Sequence, residues 1–357
     1  MPLDRIRLTS FRNHADTALD QTARFNLLVG ENGAGKTNVL EALSLLAPGR
    51  GLRRAALTEI AAHGAQNGFA VSADLGGDVQ LGTGARPDRP GRRVVQVNGA
   101  DVPAVQLGEW LSMGWLTPAM DRLFMDSAGA RRRFLDRLVL ALEPGHARNA
   151  AKLEAALRER NRLLGEPTKP DPQWLSAIEG QIGEAGAAVA QARARLVSML
   201  SAALEQLPEA PFARPALEYC SGGPLDPAEL TAALADSRRR DRAAQRTLVG
   251  PHRDELEVTM AGKGEAAAAC STGEQKAMLI AITLAHADLL LPDRPGVLLL
   301  DEVAAHLDPV RREALFERLD QGTAQVWLTG TELMPFEAIE DQAAVWCVSA
   351  GRAERLS

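Results

Sequence analysis

The sequence predicts an α/β fold, a P-loop nucleotide-binding head assembled from both ends of the 357-residue chain, with a mostly α-helical lobe inserted between them. Three observations predict it. The run Gly30-Glu31-Asn32-Gly33-Ala34-Gly35-Lys36-Thr37 fits the phosphate-loop pattern G-x-x-x-x-G-K-[ST] and follows the apolar stretch Phe25 to Val29. Near the other end, Val297-Leu298-Leu299-Leu300 reads as a buried strand that ends in Asp301-Glu302, a Walker B pattern. Between them, from Ala128 to Leu207, the chain is rich in Ala, Leu, Arg and Glu with apolar residues at helical spacing.

The phosphate loop implies nucleotide binding because its glycines let backbone N–H groups converge on phosphate oxygens. Lys36 reaches toward the β- and γ-phosphates, the Thr37 hydroxyl is placed to ligate Mg²⁺, and a helix from Asn38 to Leu46 adds its positive N-terminal end. At the second motif Asp301 serves Mg²⁺, and Glu302 is the group that would orient or deprotonate the attacking water. Strand patterns at 68–75, 93–98 and 255–260 flank the inserted lobe on both sides.

Thr37 and Asp301 lie 264 residues apart, more than one nucleotide-binding domain usually spans, so the intervening lobe is read as an insertion. The expected division is 1–120 for the first part of the head, 121–246 for the helical lobe and 247–357 for the remainder of the head. Leu153, Leu157 and Leu164 mark one apolar stripe, and a longer one runs from Trp174, Ile178 and Ile182 to Leu200, Ala203 and Leu207. Two helices packed side by side, turning between Gly165 and Pro172, satisfy both. Gly180, Gly183 and Gly186 are either weak points of the second helix or positions of close packing. Residues 208–227 read as an exposed Pro/Gly-rich connection.

Ser271-Thr272-Gly273-Glu274-Gln275 precedes an apolar-periodic helix from Met278 to Leu291, and Ser271 with Glu274 forms a capping-box pattern. A capped helix start that contains a glycine is equally an anion site. Asp308 precedes Pro309 as an N-cap would.

Composition narrows the class. A hydrophobic fraction of 46% fits a globular protein, no apolar run reaches the length of a membrane span, and the N-terminus lacks an apolar signal core. Cys220, Cys270 and Cys347 form neither a disulfide framework nor a zinc pattern, which points to a reducing cytoplasm. The net charge of −6 argues against coating nucleic acid by bulk charge, so any DNA contact must come from local arginines. Candidates are Arg53 and Arg54, the run Arg131, Arg132 and Arg133, and the cluster Arg238, Arg239 and Arg240; each is also read as a solvated helix face.

The position of Ser271 to Gln275 thirty residues before Asp301 resembles the signature of the ATP-binding-cassette ATPases, and Asp308, seven residues after Asp301, matches their D-loop. That resemblance implies that the signature of one subunit touches the γ-phosphate held by the loop of a second, so ATP joins a homodimer. After the strand Gln325 to Leu328, many members place a switch histidine; this chain has Thr329. The opening Leu8-Thr9-Ser10-Phe11-Arg12-Asn13-His14, with Gly49 to Arg54, Arg131 to Asp136 and Gly250-Pro251-His252-Arg253-Asp254, is similar to the RecF family of bacterial recombination mediators. The resemblance covers Leu3 to about Gly330. It implies an ATP-dependent dimer on double-stranded and gapped DNA, slow hydrolysis as a timer, and the mediator partners RecR and RecO. Arg12 and Asn13 then contact the adenosine, or form a simple exposed turn. The alternatives are an ATPase subunit of a membrane transporter, for which the lobe is too large, and an SMC-like tethering head. For the latter a helix of about 35 residues spans only about 50 Å.

Overall fold

The computed structural model describes residues 3–62, 68–168, 170–208, 210–290 and 294–356. Lys169 and Glu209, in the two connections expected from the sequence, and Leu291, at the end of the expected helix, lie outside these residues.

The chain opens with β1 (Leu3–Phe11), β2 (His14–Leu19), β3 (Phe25–Val29) and α1 (Lys36–Ser44), then α2 (Leu57–Ile60), β4 (Phe69–Leu75), β5 (Val79–Arg86), β6 (Arg89–Val97), β7 (Ala100–Asp101), α3 (Leu107–Trp110) and β8 (Ser112–Leu116). The middle holds α4 (Ala128–Leu142), α5 (His146–Gly165), α6 (Pro172–Glu205), β9 (Pro215–Cys220), α7 (Pro227–Ala244), β10 (Glu255–Met260), β11 (Glu265–Ala266) and α8 (Thr272–Asp288). The last part carries β12 (Gly296–Leu300), α9 (Pro309–Gln321), β13 (Gln325–Gly330), β14 (Ala343–Ser349) and β15 (Arg352–Arg355). Among the described residues no helix is long and apolar enough to cross a membrane.

Two compact units emerge: residues 1–120 with 283–357, and residues 121–282. The expected second boundary at 246 falls inside the second unit. The reason is β10, which pairs along its whole length with β9, from Glu255 opposite Cys220 to Met260 opposite Pro215. Residues 247–282, assigned by sequence to the head, therefore fold with the helices.

In the first unit an antiparallel sheet, β2-β1-β4-β5-β6-β7, and a mostly parallel sheet, β15-β14-β3-β13-β12-β8, share one core with α1. All five residues of β3 are buried, as a strand with parallel neighbours on both sides requires. Because β3, β13 and β12 are parallel neighbours, their carboxyl ends lie at one edge. Those ends carry the phosphate loop, Thr329 and Asp301, the edge where open α/β sheets bind ligands.

In the second unit α5 and α6 form the expected pair, and α7 packs on α6. Leu153, Ile178, Ile182, Val189, Leu230 and Leu234 build its core. Trp174, expected in the buried stripe, is instead 53% exposed, with the Arg162 guanidinium 6.0 Å from its ring. The 208–227 segment is not only an exposed connection, since it contains β9. Its short alternation is hidden by the prolines and glycines on both sides. The glycines of α6 divide: Gly180 faces open space, whereas a Cβ on Gly183 would lie 2.1 Å from Thr231 Oγ1, and one on Gly186 would lie 3.1 Å from Leu230. Two of the three are thus close-packing positions under α7.

Candidate nucleotide-binding site

The phosphate loop leaves β3 and enters α1 through backbone that only small residues tolerate. Gly30 has φ +154°, and a Cβ there would lie 2.1 Å from the Val348 carbonyl oxygen. Gly35, the N-cap of α1, has φ +119°, and a Cβ there would lie 2.8 Å from the side chains of Asn13 and His14. Neighbouring segments hold the loop open. Asn13 Nδ2 donates to the Ala34 carbonyl at 2.9 Å, Gly351 N donates to the same carbonyl at 3.1 Å, and Asn38 Nδ2 donates to Asn13 Oδ1 at 2.7 Å. His14 Nε2 lies 3.1 Å from the Gly35 carbonyl oxygen. Glu31, Asn32 and Gly33 remain exposed at the tip.

Lys36 is buried and its ammonium donates to the carbonyls of Gly30 at 2.6 Å and Glu31 at 2.9 Å. Burial pushes its pKa down, opposed by the negative charges of Glu302 and Asp301. The ammonium is thus curled into the loop.

Across the sheet edge, Thr37 Oγ1 donates to Asp301 Oδ1 at 2.9 Å and Oδ2 at 3.1 Å, and Thr329 Oγ1 donates to Asp301 Oδ1 at 2.8 Å. Burial raises the Asp301 pKa, while the hydrogen bonds from Thr329 and Thr37 work in the opposite direction. Glu302 follows with a left-handed φ of +53°. Hydroxyl and carboxylate oxygens in contact are the hard donors that Mg²⁺ takes. Among the described residues no group of three or more His, Cys, Asp or Glu side chains could hold a metal, so this pair would need phosphate and water to complete a shell.

On α1, Glu41 is buried between two arginines. Arg12 meets it with both prongs, Nε to Oε2 at 2.9 Å and NH2 to Oε1 at 2.7 Å. Arg53 NH1 donates to Glu41 Oε2 at 2.8 Å and to Asn38 Oδ1 at 2.6 Å. Arg12, Asn13, Asn38 and Arg53 therefore gather around one helix, which sequence spacing did not reveal for Arg53. Arg93 of β6 fixes the segment that delivers it, donating to the carbonyls of Leu45, Ala47 and Gly49. Burial lowers the Arg93 pKa to about 10.

Ser271 to Gln275, the run that resembles a signature, belongs to the second unit. Ser271 and Glu274 form the capping box: Ser271 N donates to Glu274 Oε2 at 2.9 Å, and Glu274 N donates to Ser271 Oγ at 3.4 Å. Lys263 also bonds Glu274, and the hydrogen bonds from Lys263 and Ser271 hold its carboxyl down to about 2. Thr272 opens α8, and Gln275 is buried with its amide on the Cys270 carbonyl at 2.8 Å. A Cβ on Gly273 would meet nothing within 4 Å, so the helix start is open. In the first unit Asp308 caps α9, accepting from Arg311 N at 3.0 Å.

The arginine clusters are mixed rather than uniform stripes. Arg131 pairs with both oxygens of Glu255 at 2.7 Å, Arg132 donates to the Asp254 carbonyl at 2.7 Å, and Arg238 holds Glu179 and Ser176. Arg54, Arg133, Arg239 and Arg240 are exposed. Helical periodicity shows which residues share a face, but a distant acidic partner such as Glu255 gives no local signal.

Comparison with known proteins bears on this geometry. The family model RecF/RecN/SMC N terminal domain matches residues 2–352. The DNA replication and repair protein RecF of Allorhizobium ampelinum is 46% identical over 366 residues, covering 98% of this chain and 97% of the relative. The solved structure of the recombination mediator protein RecF with ATPrS in the RecFOR pathway superposes with a TM-score of 0.86 at 23% identity, covering 99% of this chain and 98% of that one, a likeness of fold. The Smc head domain of Pyrococcus furiosus, with an extended coiled coil, gives a TM-score of 0.53 at 16% identity, covering 99% and 96%.

Proposed function

We propose that this chain, which belongs to the RecF family of DNA replication and repair proteins, is an ATP-gated DNA-binding protein whose two copies close on double-stranded DNA when ATP is bound. The observation that carries the proposal is the meeting of Lys36, Thr37, Asp301 and Glu302 at the carboxyl ends of two parallel strands.

The loop N–H groups and Lys36 bind the phosphates, and Arg12, Asn13 and Arg53 flank the adenosine side of α1. The Thr37 hydroxyl and the Asp301 carboxylate would hold Mg²⁺, which would supply neutralisation of phosphate charge. Glu302 orients the attacking water and accepts its proton. Ser271, Gly273 and the N–H groups opening α8 complete the site of a partner copy, with Asp308 beside them, so ATP joins two surfaces and loss of the γ-phosphate separates them. DNA is held by exposed arginines through its phosphates, with Arg54, Arg133, Arg239 and Arg240 as the candidates. The solved RecF of the RecFOR pathway, a recombination mediator bound to ATPrS, supports ATP as the nucleotide and RecO- and RecR-type mediators as partners. The longest helix, α6 with 34 residues, spans about 51 Å at 1.5 Å per residue, short for an SMC-like tether.

Glu302→Gln tests the reading. It is expected to bind ATP, hydrolyse it at least about 100-fold more slowly, and bind labelled duplex or gapped DNA tightly with ATP but weakly with ADP in fluorescence anisotropy. Equal weak binding with either nucleotide would overturn ATP gating.

A further inference from the structure

Glu302 has a backbone that its side chain does not favour. At φ +53° it lies in the left-handed region, which glycine and, less often, asparagine or aspartate adopt. Such a residue persists only where its surroundings over-determine it. The structure supplies two restraints, one from each neighbouring strand. Asp301 N donates to the Leu116 carbonyl of β8 at 2.9 Å, continuing the parallel ladder by one rung. The next amide, Glu302 N, donates to the side chain of Thr329 on β13, with Oγ1 at 2.9 Å.

The same Oγ1 donates to Asp301 Oδ1 at 2.8 Å, and Thr329 is 1% exposed. A hydroxyl has one hydrogen and two lone pairs. The hydrogen is committed to Asp301 and a lone pair to Glu302 N, which leaves no donor for a phosphate oxygen. We infer that Thr329 is a positioning residue: its hydroxyl clamps the Asp301–Glu302 turn and so sets the direction of the Glu302 carboxylate, instead of sensing the γ-phosphate. The inference rests on the reading of Glu302 as the group that orients the attacking water.

The test compares Thr329→Val and Thr329→Ala, which remove the hydroxyl, with Thr329→Ser, which keeps it. Amide hydrogen exchange without nucleotide reads the clamp directly: the Glu302 amide should exchange at least about tenfold faster in Val and Ala and at the wild-type rate in Ser. In turnover, Val and Ala should lower kcat by about 10- to 100-fold, with the Kd for ATP by calorimetry changed less than about twofold, and Ser should restore kcat. Unchanged exchange in both Val and Ala, ATP affinity lost in step with kcat, or failure of Ser to rescue would each overturn the inference. A wild-type protein without ATP hydrolysis would remove the role assigned to Glu302, while the exchange comparison still decides whether Thr329 clamps the turn. Should the Val variant fail to fold, the Ala and Ser pair carries the same comparison.

Discussion

The Thr37 hydroxyl shares its hydrogen between both carboxylate oxygens of Asp301, at 2.9 and 3.1 Å, across 264 residues of chain. This bond ties the first turn of α1 to the end of β12 and brings the two halves of the site into register. The second unit is therefore an excursion between two strands of one sheet.

Lys36→Ala removes the ammonium that bridges the Gly30 and Glu31 carbonyls. ATP affinity should fall by about 100-fold, equivalent to roughly 3 kcal/mol, and the ATP-dependent dimer should disappear in light scattering. The fold should survive, because the freed carbonyls belong to a loop with an exposed tip. A dimer of unchanged mass with ATP would exclude a nucleotide sandwiched between two copies.

Ser271→Ala removes the hydroxyl of the capping box while leaving the phosphate loop intact. The local loss should be about 1 kcal/mol of helix stability. ATP binding to the monomer should stay near wild type while dimerisation with ATP weakens by at least about tenfold, or roughly 1.4 kcal/mol. Equal loss of both would mean that Ser271 only caps its helix.

Gly180→Ala and Gly183→Ala should move stability in opposite directions. A Cβ at Gly180 meets nothing within 4 Å, so alanine should stabilise α6 by about 0.5–1 kcal/mol. At Gly183 the new Cβ would lie 2.1 Å from Thr231 Oγ1 and 2.7 Å from the Pro227 carbonyl oxygen, so α7 must shift, at a cost of about 1–3 kcal/mol. Urea unfolding of the two variants decides; shifts of the same sign would contradict the packing of α6 on α7.

Asp136 couples the second unit to pH. Burial pushes its carboxyl up, but hydrogen bonds from His146 and Arg193 prevail and hold it at about 2 against an ordinary 3.8. A depressed carboxyl contributes stability that is complete above its unfolded pKa and is lost as pH falls through the folded one. Stability should accordingly decline between about pH 4 and pH 2. In Asp136→Asn this part of the acid limb should flatten, measured by thermal unfolding across that range.

The nucleotide site was legible where its chemistry is local. Gly30, Gly35, Lys36 and Thr37 lie close in sequence because they form one loop from β3 into the start of α1, and Asp301 and Glu302 follow directly on the apolar strand β12. Other features depend on partners far along the chain. The Glu41 carboxylate that engages Arg12 and Arg53, and Glu255 that engages Arg131, carry no periodic signal. The strand β9 was masked by prolines and glycines that read as a connection, until its pairing with β10 is seen.

By itself the sequence determined the class of protein: a phosphate-loop pattern, an apolar strand ending in Asp301-Glu302, a capping box at the start of a helix and a helical insertion, all written in spacings of a few residues or in helical and strand periods. Only the tertiary structure decided that residues 247–282 fold with the lobe, that Gly183 and Gly186 but not Gly180 are packing positions, and that Thr329 bonds both Asp301 and Glu302. Hydrogen bonds and close packing act over about 3–4 Å in space, whereas sequence records only neighbours along the chain.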